Sequence, residues 1–207
     1  MLFLPGWGAP AELYAPALPA GWLALEPPSF AASGGSLAVY RDWLGRELRR
    51  RGRSHLAGHS MGAALAICAA ADLPELVERL VLIAPAGLPL EKPFWKSLRD
   101  FAGQVRDRSY PRDVLAAAAL GLARAPRAAI GLARAVRALD LRCECARIRA
   151  AGIPVRVVGC ATDTLVTSSR ARALADALGA RYEELGLGGG HMWMLGDRER
   201  FAAVVGA

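Results

Sequence analysis

The pentamer Gly58-His59-Ser60-Met61-Gly62 sets one serine between two glycines, where a run ending at Ala57 gives way to the Ala-rich segment Met61 to Ala71. A strand that turns sharply into a helix at such a serine thrusts the hydroxyl clear of the sheet. The flanking glycines lack the Cβ atoms that would collide with the adjoining elements. A serine hydroxyl is a weak nucleophile until a base takes its proton. Of the three histidines, His191 follows Gly188-Gly189-Gly190 after the last candidate strand. A glycine turn there can carry an imidazole over the sheet, so His191 is assigned as base. His59 is expected to point away from the serine into sheet or helix packing. His55, in the strand leading to the turn, is expected to pack or hydrogen-bond locally.

An imidazole that accepts a proton needs an acid to hold its tautomer. Asp163 stands in the turn Cys160-Ala161-Thr162-Asp163 after the apolar run Val155 to Gly159. A lone aspartate after a strand is often only a helix cap. The chain order serine, aspartate, histidine, with each residue at a strand end, favours the acid role. Asp176, inside a surface-type helix, and Asp197, just beyond the histidine, are poorer placements. Charge developing on a tetrahedral intermediate needs N–H donors. The Met61 N–H, directly after the serine, is one candidate. The Trp7 N–H, in the loop Pro5-Gly6-Trp7-Gly8, is the other, and its indole reads either as a pocket wall or as a core or rim aromatic. Together these groups would transfer an acyl group to water, with no metal or organic cofactor required.

The elements that must position these groups follow from the apolar runs. Leu2 to Leu4 reads as a strand ending in a glycine turn, and Trp22 to Leu25 is a second short run. Leu37, Tyr40, Leu44 and Leu48 recur on one face of a helix over Ser36 to Arg51. The Ala-rich segment after Ser60 suits a helix packed closely on a sheet. Leu80 to Ala84 and Val155 to Gly159 read as buried strands, and Ala171 to Leu178 as a helix closed by Gly179. Tyr182 to Leu187 is expected as the last strand and Trp193 to Val205 as a terminal helix. Strands alternating with helices imply a mainly parallel sheet covered on both faces, in one domain over residues 1–207. The stretch from about 89 to 149 breaks the rhythm, with Pro111, Gly121 and Pro126 interrupting helical sequence and no convincing strand. It is expected as an enlarged helical connection over the sheet edge.

Composition narrows the class further. With 54% of residues apolar and 22% charged, the chain can build a core and is not an extended disordered polymer. No apolar run is long enough for a membrane helix. The start MLFLPGWGAP lacks the basic region and apolar length of a secretory signal, so cytoplasmic residence is expected. Cys68 and Cys160 read as small core residues, and Cys143 and Cys145 form a C-x-C pair with no further ligands for a metal site. The net charge of +7 arises from residues 91–150, where thirteen Lys or Arg meet six Asp or Glu. Such a face either attracts an anionic partner or is simply solvated. No zinc-finger spacing or aromatic–basic pattern supports nucleic-acid binding.

Through FLPGWG, GHSMG, the strand-end Asp163 and GGGHMW, the chain resembles the α/β-hydrolase superfamily. Within it, the chain is similar to small carboxylesterases of the kind that hydrolyse pimeloyl-acyl-carrier-protein methyl ester in biotin biosynthesis. The resemblance covers most of the chain outside 89–149. It implies an α/β-hydrolase fold, with Trp7 and Met61 as oxyanion donors and 89–149 as a helical lid. It also implies a carboxylic ester as substrate, with an acidic acyl carrier protein received on lid arginines such as Arg124, Arg127, Arg134, Arg137 and Arg142. Thioester, lactone, amide or carbon–carbon bond hydrolysis would use the same triad, and a non-catalytic binding protein could keep the fold. The chain departs from the resemblance at Pro5, where histidine is usual. It departs again at Glu26-Pro27-Pro28-Ser29-Phe30, which replaces an Asp-x-x-G-x-G-x-S run. It also starts almost directly at the usual third strand, giving a shortened N-terminus.

Overall fold

The computed structural model describes residues 1–90, 92–93, 95–97, 99–100, 103, 112–186 and 188–206. Among them, six strands form one sheet: β1 Leu2–Leu4, β2 Leu23–Ala24, β3 Ser54–His59, β4 Val77–Ile83, β5 Val155–Cys160 and β6 Arg181–Leu185. Their spatial order is β2-β1-β3-β4-β5-β6, and every neighbouring pair is parallel. The expected break at Pro111 and the expected strand end at Leu187 lie outside the described residues.

Side chains alternate across a strand with period two, and the sheet is buried on both faces. Leu2, Leu4, Leu56, Leu80, Leu82 and Val157 face one cluster. Phe3, Ala57, Val81, Ile83 and Val158 face the other. The first cluster is covered by α2 (Leu37–Arg51), α3 (Met61–Asp72), α6 (Arg142–Ala150) and α7 (Ser168–Leu178). The second is covered by Tyr14, Trp193 and the last helix, α8 (Arg198–Gly206). Helix α2 buries Tyr40, Leu44 and Leu48, the stripe its periodicity predicts, and stops where Gly52 adopts φ 77°. Helix α3 is buried from Met61 through Ala71, and its small residues let it lie close to the sheet.

Two expectations need correction. The terminal helix does not begin at Trp193. A 3-10 turn spans Gly190–Leu195 with a non-helical Met192, and α8 starts only at Arg198. Asp197 causes the delay: its Oδ1 accepts the Arg200 N–H at 3.0 Å, an N-cap that starts a new helix. The helical connection, in turn, does not lie over a sheet edge. Ala119 and Leu122 of α4 (Arg112–Arg124) and Ile130, Ala133 and Val136 of α5 (Pro126–Arg137) line a cavity above the carboxyl ends of the strands. The expected interruption at Pro126 falls between α4 and α5, where Pro126 opens α5 as a residue without an N–H does at the first helical position, whereas Gly121 lies inside α4 and interrupts nothing. Helix α6 belongs to the layer that flanks the sheet, with Cys145 and Ile148 in the main core against α3 and α7. A short helix α1 (Phe30–Ser33) packs beneath α4 and α5. No helix among the described residues is long and apolar enough to cross a membrane.

Candidate active site

From β1 the chain moves outward to β2, whereas β3 lies on the other side of β1. Loops leaving the carboxyl ends of β1 and β3 diverge at this switch point and leave a crevice between them, the place where open α/β sheets bind ligands. Ser60 sits at the end of β3 with φ 54° and ψ −114°. A non-glycine residue there stores about 1–3 kcal/mol of strain unless its surroundings hold it. They do so here: the Ser60 N–H donates to the Ile83 carbonyl at 3.0 Å, and the Ser60 carbonyl accepts the Ala64 and Ala86 N–H groups, each at 3.2 Å.

The two glycines of the pentamer are sterically required. A Cβ at Gly58 would lie 2.5 Å from the Gly62 carbonyl carbon, and one at Gly62 would lie 2.1 Å from the Leu4 carbonyl oxygen. Both obstacles are backbone and cannot swing aside. Met61 is the first residue of α3, whose opening N–H groups have no intrahelical acceptor. Gly6 and Trp7, from the loop after β1, line the same cavity as Ser60.

His191 lines that cavity as well. It follows Gly189 (φ 122°) and Gly190 (φ 58°), conformations that a side chain would oppose. Asp163 lies behind it at the end of β5. The two are 1% and 4% exposed, and His191 Nδ1 is 2.7 Å from Asp163 Oδ2. Because a carboxylate only accepts, the Nδ1–H donates and Nε2 of the neutral ring keeps its lone pair. The other carboxylate oxygen, Oδ1, accepts the Leu165 and Val166 N–H groups at 2.7 and 2.9 Å. Asp163 thus caps its own loop and holds the histidine at once. The two loops are also joined directly, by the Gly190 N–H donating to Thr162 Oγ1 at 3.0 Å.

The cavity holds about 590 Å³, in the middle of the range for small-molecule sites. Its walls are overwhelmingly apolar, with Leu88, Leu122, Ile130, Val136 and Leu174 among them. The Trp7 indole is part of the wall. It packs at a tilt against Phe30 with ring centroids 5.4 Å apart, and its Nε1–H donates to the Ala129 carbonyl of α5 at 3.1 Å. The loop expected to supply an oxyanion donor is therefore tied to the lid.

The other sequence candidates fall in several places. His55 is half-buried and pairs with Glu78 at 2.5 Å, a local contact as expected. His59 is buried as expected, but its ring packs against that of His191, with centroids 4.6 Å apart. Arg124, Arg127, Arg134 and Arg142 are exposed, with Arg142 paired to Asp140. Arg137 differs from them. It lines the cavity and donates to Ser97 Oγ and to the Leu90 and Lys92 carbonyls, clamping the start of the lid to α5. Cys68 and Cys145 are buried, and burial pushes their thiols up to about 11 and about 12. Cys143, by contrast, is exposed. Among the described residues, no group of three or more His, Cys, Asp or Glu is placed to hold a metal ion.

Similar structures share the fold over almost all of the chain. A hydrolase from Pseudomonas aeruginosa PA01 is 22% identical, with a TM-score of 0.72 over 99% of this chain and 87% of that one. The N-formylmaleamic acid deformylase of Pseudomonas putida S16 is 17% identical, with a TM-score of 0.71 over 100% and 90%. A lipase-esterase related protein from Clostridium acetobutylicum is 14% identical, with a TM-score of 0.71 over 99% and 92%. At these identities the likeness is one of fold. No curated protein sequence matches the chain. The profile of the alpha/beta hydrolase family matches residues 1–204, and this chain belongs to that family.

Proposed function

We propose that the chain is a serine carboxylesterase that hydrolyses esters of apolar acyl groups, with Ser60 as nucleophile, His191 as base and Asp163 as the acid. One juxtaposition carries this reading. Ser60, on its strained turn, and His191, whose Nδ1–H is held by Asp163, line the same apolar cavity.

In this mechanism Ser60 Oγ attacks the ester carbonyl while His191 Nε2 accepts its proton. The oxyanion is received by the Trp7 and Met61 N–H groups. His191 then returns the proton to the leaving alcohol, and a water activated by the same nitrogen releases the acid. Asp163 stabilises the imidazolium formed at each step.

The apolar wall supports an uncharged aliphatic acyl chain as the preferred group. Each methylene buried contributes about 0.8 kcal/mol, so kcat/KM should rise about fourfold per added carbon until the cavity is full. A series of p-nitrophenyl and methyl esters of graded acyl length, run with Ser60→Ala, tests this. A single optimum length, abolished by the substitution, supports the reading; turnover that survives Ser60→Ala overturns it.

The exposed Arg124, Arg127, Arg134 and Arg142 favour one finer reading, in which an acidic acyl carrier protein presents the ester, as with a pimeloyl-carrier methyl ester. Carrier-linked ester should then be turned over faster than free methyl ester at low salt and lose that advantage at high salt. Equal efficiency at both salt concentrations removes it.

A further inference from the structure

His59 adjoins the proposed nucleophile in sequence and reaches the proposed base through space. Its Nε2 is 3.0 Å from the His191 carbonyl oxygen, and its Nδ1 is 2.9 Å from the Tyr14 hydroxyl. Tyr14 is fully buried and His59 is 1% exposed. A carbonyl can only accept, so Nε2 carries the proton. Burial, and then the neighbouring His191, hold the imidazole well below its ordinary pKa. The ring is therefore neutral, and its Nδ1 accepts from Tyr14. The hydrogen bonds run one way, from the Tyr14 hydroxyl to His59 and from His59 to the main chain of His191.

The placement of the ring is specific. A Cβ on Gly6 would come within 2.9 Å of His59 Nδ1, so the ring fills the space beneath the loop after β1. It packs against both Tyr14 and His191, with centroids 5.9 and 4.6 Å apart. The histidine loop it grips contains Gly189 and Gly190 at positive φ, the kind of backbone that needs external bonds to hold one conformation.

We propose that His59, locked in one tautomer by Tyr14, is a positioning residue that sets the separation of Ser60 and His191. Its main chain carries the nucleophile and its side chain fixes the backbone of the base. The inference rests on the esterase reading above, in which those two residues exchange a proton. Proton transfer requires near-contact geometry, and a displacement of about 1 Å can cost about 10²-fold in rate.

The test compares His59→Leu, His59→Gln, Tyr14→Phe and the Tyr14→Phe/His59→Leu double variant by steady-state ester hydrolysis. Leucine removes the donor, whereas the glutamine amide restores an N–H near the Nε2 position. His59→Leu should lower kcat about 30- to 100-fold with KM within about twofold, and His59→Gln should recover most of that loss. Tyr14→Phe should lower kcat about 3- to 10-fold on its own and add nothing to His59→Leu, because the two act through one chain. If leucine prevents folding, Tyr14→Phe, which deletes a single oxygen, carries the test. Equal losses for Gln and Leu, a loss confined to KM, or full activity in Tyr14→Phe would overturn the proposal. Nitrogen-15 spectra of the imidazoles provide a readout independent of turnover. They should report His59 as the Nε2–H tautomer, with Tyr14→Phe disturbing it; an Nδ1–H or doubly protonated His59 overturns the proposal even if the esterase reading falls separately.

Discussion

Replacing Asp163 by asparagine changes one atom and should remove most of the activity without unfolding the protein. Asp163 Oδ1 accepts the Leu165 and Val166 N–H groups, while Oδ2 faces His191 Nδ1 at 2.7 Å. An asparagine that leaves its oxygen with the two backbone donors turns its NH2 toward His191. Two N–H groups cannot face each other, so the imidazole shifts its proton to Nε2, the nitrogen that must accept from Ser60. The opposite flip preserves the working tautomer but leaves two buried N–H groups unpaired, at about 1–3 kcal/mol each. At about 1.36 kcal/mol per tenfold, a total of about 2–6 kcal/mol leaves the working arrangement populated at between about one part in 30 and one part in 10⁴. The kcat of Asp163→Asn should fall by that factor, and the upper end equals the loss known for the equivalent change in serine proteases. Asp163 does not line the cavity, so KM should hold. Steady-state ester hydrolysis measures both constants, and urea unfolding checks that stability stays within about 1 kcal/mol. A kcat within tenfold of wild type, or a loss confined to KM, would refute the reasoning.

Gly62→Ala places a Cβ 2.1 Å from the Leu4 carbonyl oxygen and should cost at least about 3 kcal/mol in urea unfolding. Gly131→Ala, at an open position of α5, should instead stabilise by up to about 1 kcal/mol. Cys68 titrates at about 11 in the fold against 9.0 for a free thiol. The unfolded chain therefore releases this proton first, and stability is lost as pH rises above 9.0. Between pH 9 and 11 that loss should amount to about 2–3 kcal/mol. Cys68→Ala should reduce the slope there by that amount, leaving the share of Cys145, whose thiol burial pushes up to about 12; an unchanged slope would assign it to other groups.

What the sequence discloses and what it hides divide along physical lines. The turn at Ser60 is legible because its requirement is local: Gly58 and Gly62 stand where any Cβ would strike backbone. The parallel sheet is legible from the apolar runs of β4 and β5 and from the strand–turn–helix setting of Ser60 at the end of β3. The edge strand β6 is legible despite Glu183 and Glu184, although Glu183 is answered by Arg156 on the neighbouring strand only once the two pair. The course of the lid is not legible, because Ala- and Arg-rich amphipathic helices can lie over an edge or over the strand ends with the same pattern. Arg137 shows the cost: its spacing groups it with Arg134, yet it turns inward to clamp Ser97 and two carbonyls. Alternation along β3 places His59 on the face of Ala57, but nothing local says that the loop after β6 folds back onto that face. The start of α8 has a local signal in Asp197, a residue type preferred at an N-cap, which accepts the backbone N–H of Arg200.

The central claim is that Ser60 is a nucleophile activated by His191. A fluorophosphonate probe, which reacts only with an activated serine hydroxyl, tests it directly, with the adduct located by peptide mass spectrometry. The account predicts one adduct per chain, on Ser60, absent from Ser60→Ala and strongly slowed in His191→Ala. No adduct, an adduct elsewhere, or undiminished labelling in His191→Ala would contradict it.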